Sequence, residues 1–175
     1  MKIRLTLNGK KIEAEIKADT LLLDLVREKG CYSVKRGCET SNCGLCTVWL
    51  DGKPVLSCST PVGRANGRKV DTLEGLQEEA KAFTNFFAAQ GADQCGFCNP
   101  GYIVNIVALL RENPDPTDEE ILEYLSGNLC RCTGYQSQLR SLRNYLNSKK
   151  EGADLDLEAG VYGEDIGKEW KHEGI

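Results

Sequence analysis

Apolar and polar residues alternate at Ile3, Leu5 and Leu7 and again at Ile12, Ala14 and Ile16, with Asn8-Gly9 between the two runs. Period-2 patterning around an Asn-Gly pair predicts two half-buried strands joined by a turn with positive φ. Asp19 or Thr20 is placed to cap a short helix through Leu25 and Val26. A second hairpin is predicted from Cys46–Leu50, Asp51-Gly52 and Pro54–Cys58, followed by a strand near Lys69–Leu73. Strands, one helix and more strands give a small α+β unit over residues 1–75.

The period then changes. Leu76, Ala80, Phe83 and Phe87 recur at helical spacing, as do Ile103, Ile106, Val107 and Leu110. Thr117-Asp118-Glu119-Glu120 carries a capping-box pattern ahead of Ile121, Leu122 and Leu125. Leu139, Leu142 and Leu146 mark one more amphipathic helix. Four short helices over residues 76–150 predict an all-α four-helix bundle. From Glu151 the pattern fails, and glycines among dense acidic groups read as a linker or tail over 151–175. The chain shows no internal repeat.

Composition narrows the function classes. The net charge is −4, which argues against nucleic acid or an anionic membrane surface as partner. Residues 151–175 hold eight acidic groups against two lysines, so the rest of the chain carries +2. No apolar run approaches membrane-spanning length, because the Leu21–Leu25 stretch is broken by Asp24. The opening residues lack a signal peptide's apolar core, which makes the expected setting cytoplasmic.

Nine cysteines in such a chain require explanation. Disulfides are disfavoured in a reducing cytosol, and these thiols fall in tight groups rather than scattering through a core. The single histidine, His172, lies in the acidic tail. One histidine excludes a Rieske centre and multi-histidine metal sites, and leaves little for nucleophile–histidine catalysis. Any substrate chemistry is therefore expected on another portion or partner.

Cys38, Cys43, Cys46 and Cys58 form C-x4-C-x2-C-x11-C, the plant-type ferredoxin spacing. Three thiolates on one loop can wrap a cluster while a fourth arrives from a neighbouring strand. Gly37 and Gly44 let backbone N–H groups approach the sulfurs. Zinc prefers paired C-x2-C knuckles and fits this spacing poorly. Cys95, Cys98, Cys130 and Cys132 form C-x2-C-x31-C-x-C. Each pair precedes a predicted helix, one beginning near Pro100 and one after Gly134, so two helix N-termini offer free N–H donors to an anionic cluster. By spacing alone, zinc competes with iron at this second group.

Three segments carry a family resemblance: Gly37-Cys38-Glu39-Thr40-Ser41-Asn42-Cys43-Gly44-Leu45-Cys46-Thr47-Val48, Gln94-Cys95-Gly96-Phe97-Cys98-Asn99-Pro100-Gly101, and Gly127-Asn128-Leu129-Cys130-Arg131-Cys132-Thr133-Gly134-Tyr135. Residues 1 to about 150 resemble, in order and spacing, the iron–sulfur subunit or N-terminal iron–sulfur domain of the xanthine dehydrogenase/aldehyde oxidase family of molybdenum hydroxylases. The resemblance implies a β-grasp 2Fe–2S ferredoxin-like domain, then a helical bundle with a second 2Fe–2S cluster. It further implies that the second cluster lies beside a molybdopterin cofactor held by a partner subunit or fused domain, with Gln94 and Cys132 contacting the pterin. Single electrons would pass from molybdenum through both clusters to a FAD-binding subunit or another acceptor. Such a chain is one component of an oxidoreductase that hydroxylates a purine, N-heteroaromatic or aldehyde substrate, and does not turn over substrate alone.

Two positions depart from the family pattern. Ser41 stands where glycine is usual, and a positive φ there would be costly; Asn99 often has threonine as its counterpart. Phe97 reads as an ordinary core aromatic, Cys31 as a small buried thiol, and Arg131 as a shield of cluster charge or a partner's ion-pair mate. Ile166-Gly167-Lys168 looks like the opening of the family's molybdenum portion, although the tail's composition equally supports disorder. The rival readings are a free-standing ferredoxin-like carrier, or an adaptor stabilised by zinc at the second cysteine group.

Overall fold

The computed structural model describes residues 1–152. Five strands form one mixed sheet: β1 (Lys2–Leu7), β2 (Lys10–Glu15), β3 (Thr47–Leu50), β4 (Lys53–Leu56) and β5 (Lys69–Asp71), in the order β2-β1-β5-β3-β4. Both hairpin turns are of the kind expected. Asn8 and Gly9 have φ of 49° and 77°, and Asp51 and Gly52 have 52° and 81°, matching the twist of the strands they join. Among the described residues the only parallel pairing joins β1 to β5, through Thr6 with Lys69 and Leu7 with Val70.

Helix α1 (Leu22–Glu28) lies with the sheet over a core that includes Ile3, Leu5, Leu7, Leu22, Val26, Val48 and Val70. Neither Asp19 nor Thr20 caps α1. Its N-cap is Leu21, with no side-chain cap, because the Thr20 hydroxyl accepts instead from the Lys17 N–H at 3.2 Å. Cys31 is buried in this core, 3.4 Å from the Asn8 amide, and burial pushes its thiol up. That is the small buried thiol the sequence predicts.

Four helices follow: α2 (Gln77–Ala89), α3 (Asn99–Glu112), α4 (Asp118–Tyr124) and α5 (Gln136–Lys150). They enclose a second core built on Phe83, Phe87, Ile103, Ile106, Ile121 and Leu142. The capping box at α4 is formed as the sequence predicts, with Thr117 and Glu120 each satisfying the other's backbone N–H. Among the described residues no helix is long and apolar enough to cross a membrane.

Strand β3 belongs to both cores. Its four residues Thr47, Val48, Trp49 and Leu50 are all buried, an unbroken run typical of a strand covered on both faces. Val48 and Leu50 enter the sheet core, whereas Trp49 enters the helical core. The Trp49 indole N–H donates to the Val104 carbonyl at 3.1 Å, and the Arg111 guanidinium stacks 4.4 Å from the ring centroid. This strand fixes the first cysteine loop, which ends at Cys46, against helix α3, which starts after Cys98.

Candidate metal centres

The first cysteine loop is shaped by two residues with positive φ, Ser41 at 56° and Gly44 at 75°. Ser41 therefore adopts the left-handed conformation despite its side chain. The turn brings N–H groups onto the thiols. Cys38, partly exposed, is lowered to about 6 by the backbone N–H groups of Asn42, Thr40 and Cys43 together with the Cys43 side chain. Cys43 is raised by burial, against N–H groups of Leu45 and Gly37 that favour its thiolate. Burial also raises Cys46, to about 11, and it pairs with Cys58.

Cys58 does not sit in a strand as its sequence predicts. The extended segment stops at Leu56, and Ser57–Ser59 forms a 3₁₀ turn. Ser57 causes the turn: its buried hydroxyl donates to the Cys46 carbonyl at 2.6 Å, drawing Cys58 toward Cys46. Cys58 Sγ also lies 3.4 Å from Ser41 Oγ.

At the second group, Cys98 is the N-cap of α3, with Pro100 in its first turn as predicted. Cys130 and Cys132 precede α5, whose N-cap, Tyr135, is left-handed with φ of 67°. The Tyr135 hydroxyl accepts from the Cys130 N–H at 3.2 Å, so the residue closes its own loop. Cys95 Sγ and Cys132 Sγ are 3.6 Å apart, both exposed. The Phe97 N–H and the Cys132 thiol lower Cys95, while the same pairing raises Cys132. Cys98 faces Cys130; burial first, then that neighbour, pushes Cys98 up to about 11. Burial opposes ionisation of Cys130, yet the Thr133 hydroxyl at 3.1 Å and nearby N–H groups bring it down.

The eight thiols thus meet as four pairs: 38 with 43, 46 with 58, 95 with 132 and 98 with 130. Among the described residues no group of three or more His, Cys, Asp or Glu side chains converges on one point. A tetrahedral zinc site would need four donors within about 4 Å of one another around a single ion. Two pairs per site suit a two-iron cluster, in which each iron takes two thiolates. The N–H groups aimed at the thiols suit an anionic centre.

The two centres share a seam of close backbone contacts. A Cβ on Gly44 would lie 2.3 Å from the Gly127 carbonyl, and one on Gly101 would lie 2.5 Å from the Gly44 carbonyl. The Leu129 N–H donates to the Cys43 carbonyl at 2.9 Å. Buried Asn105 ties the seam together, its amide 3.2 Å from Thr47 Oγ1 and 3.0 Å from Asn128 Oδ1.

Residues 5–81 match the family "2Fe-2S iron-sulfur cluster binding domain", and residues 72–143 match the "[2Fe-2S] binding domain". The nicotinate dehydrogenase small FeS subunit of Eubacterium barkeri is 48% identical over 76% of this chain and 87% of that subunit. The xanthine dehydrogenase iron-sulfur-binding subunit of Escherichia coli O157:H7 is 44% identical over 77% of this chain and 87% of its own length. This chain belongs to the iron–sulfur subunits of the xanthine dehydrogenase-like molybdenum hydroxylases. The crystal structure of quinoline 2-oxidoreductase from Pseudomonas putida 86 superposes with a TM-score of 0.78 at 37% identity, covering 88% of this chain and 98% of that one. The role of such a subunit is electron transfer within a molybdenum-containing oxidoreductase.

Gln94 and Cys132, the residues assigned to pterin contact, are both exposed, and Gln94 directly precedes Cys95. Phe97 is not a core aromatic: it is 50% exposed, and the Lys35 ammonium sits 4.5 Å from its ring centroid. Lys35 also donates to the Phe97 carbonyl at 3.1 Å, linking the first cysteine loop to the second. Arg131 is exposed. The tail motif at Ile166-Gly167-Lys168 lies outside the described residues. Sequence reasoning missed Gln138, which is buried with its amide 3.6 Å from Cys98 Sγ. The helical spacing from Gln138 to Leu142 was the available signal, since it places the amide on the face that packs inward.

Proposed function

We propose that this chain holds two 2Fe–2S clusters and relays single electrons from a molybdopterin centre on a partner subunit or fused domain to a flavin or other acceptor. Cys38, Cys43, Cys46 and Cys58 hold one cluster, and Cys95, Cys98, Cys130 and Cys132 the other. In this reading residues 1–75 form a β-grasp ferredoxin-like unit and residues 76–150 a helical-bundle unit, with 151–175 leading toward the molybdenum-binding portion. The observation that carries it is the arrangement of eight thiols as four pairs, two to a site, with backbone N–H groups directed at them.

Bound there, the clusters divide a two-electron oxidation into single-electron steps. The protein's part is to fix the spacing and surroundings of the thiolates. The Leu129-to-Cys43 hydrogen bond joins the backbone of a first-site ligand to the residue before Cys130, leaving one non-covalent step between the two sets. Exposed Gln94 and Cys132 form the side of the second site that faces the pterin. Relatives named for nicotinate and xanthine favour an N-heteroaromatic substrate on the partner, with aldehydes as the broader family alternative. Nine free thiols suit a reducing, cytoplasmic setting.

Iron, sulfide and zinc analysis with EPR of the reduced protein tests the reading. About four irons per chain and two distinguishable signals are expected, as two such clusters require. One iron pair plus zinc would overturn the second assignment. Cys43→Ser is expected to damage the first cluster's signal while leaving the second recognisable.

A further inference from the structure

Position 138 lies in the first turn of α5, on the face that carries Ser141, Leu142 and Tyr145 into the helical core. An apolar side chain would be ordinary there. The residue is instead a glutamine, 3% exposed. A primary amide taken out of water is costly unless its N–H groups find acceptors. Gln138 Nε2 lies 3.6 Å from Cys98 Sγ, within hydrogen-bonding range for the larger sulfur atom. The helix turn is anchored behind it by the Tyr102 hydroxyl, which donates to the Gln138 carbonyl at 3.2 Å.

We infer that Gln138 is a potential-setting residue of the second centre, its amide N–H directed at Cys98 so as to favour the reduced form of the cluster held there. This rests on the reading of Cys95, Cys98, Cys130 and Cys132 as cluster ligands. Reduction adds negative charge that is shared with the ligand sulfurs. A fixed N–H dipole pointing at one of them stabilises the reduced state more than the oxidised one. Burial strengthens the effect, since little water is present to screen it. Thr133 supplies a second donor, on Cys130, from a less buried position. Gln138 therefore acts as a positioning residue on the electron's residence: it holds the electron at the second centre against onward transfer to the first.

The test is an EPR-monitored redox titration of the full chain, purified in the complex it forms in its host, with Gln138→Met and Gln138→Leu as variants. Both keep an apolar-compatible volume and remove the donor. The second cluster's potential is expected to fall by about 59 mV, a tenfold shift in its one-electron equilibrium, while the first stays in place. An unchanged second potential overturns the inference and leaves the two-cluster reading intact. A missing second signal in the unmodified chain overturns both. A second measurement confines 15N to glutamine side-chain amides and compares the unmodified chain with Gln138→Met, so that a coupling present in the first and lost in the second belongs to Gln138. A 15N hyperfine coupling to the reduced second cluster supports the assignment, and its absence overturns it.

Discussion

Cys38 and Cys46 share one loop, yet their chemistry diverges. Three backbone N–H groups hold Cys38 down to about 6, whereas burial holds Cys46 up to about 11. In the iron-free chain at pH 7, Cys38 is therefore a thiolate and the expected first site of alkylation by iodoacetamide, ahead of Cys46 and Cys98. Because the thiolate exists only above its lowered pKa, the labelling rate should drop as pH falls through about 6. Peptide mapping across pH checks both the order and the direction. Ser41 offers a second test. Its φ of 56° is unfavourable for a residue with a Cβ, so Ser41→Gly is expected to stabilise the protein by up to about 1 kcal/mol in chemical denaturation. The cysteine spacing made the two groups of four thiols legible in the sequence. Which thiols face one another was not legible, because pairing depends on the Ser57 turn and on two helix starts far apart in the chain.

Among the elements, α4 and α1 show what local patterns reveal. The α4 capping box uses only neighbouring residues, Thr117 and Glu120, and forms as written. Thr117→Ala is expected to cost about 1 kcal/mol, read as a lower denaturation midpoint. The candidate cap before α1 fails because the Thr20 hydroxyl has a competing local partner in the Lys17 N–H. Strand β4 ends early for a related reason: Ser57 binds the Cys46 carbonyl, a partner eleven residues away in sequence that no periodicity reveals. Helix α5 begins after Gly134 as expected, but through a left-handed Tyr135 that the pattern of leucines cannot disclose.

Across the whole molecule, the switch from period two to helical spacing separates the sheet half from the helical half, and both halves are legible. Their seam is not, since it depends on missing side chains. Gly44 and Gly101 let backbones approach where any Cβ would collide with a facing carbonyl, that of Gly127 or of Gly44. Gly101→Ala is expected to force the Gly44 loop away from α3, costing about 1–3 kcal/mol as an overpacked contact. On the proposed two-cluster reading, the same change should weaken the magnetic coupling between the reduced clusters. Unchanged stability and an unchanged EPR line shape together would refute the seam's role.

Trp49 grows from the sheet but lives among the helices, with its indole nitrogen on Val104 and Arg111 across its ring. Its fluorescence is thus a built-in gauge of whether the halves stay docked. If they part while each keeps its own order, the indole meets water and its emission reddens before circular dichroism falls. With Trp170 replaced by Phe to silence the tail, this single chromophore distinguishes undocking from melting.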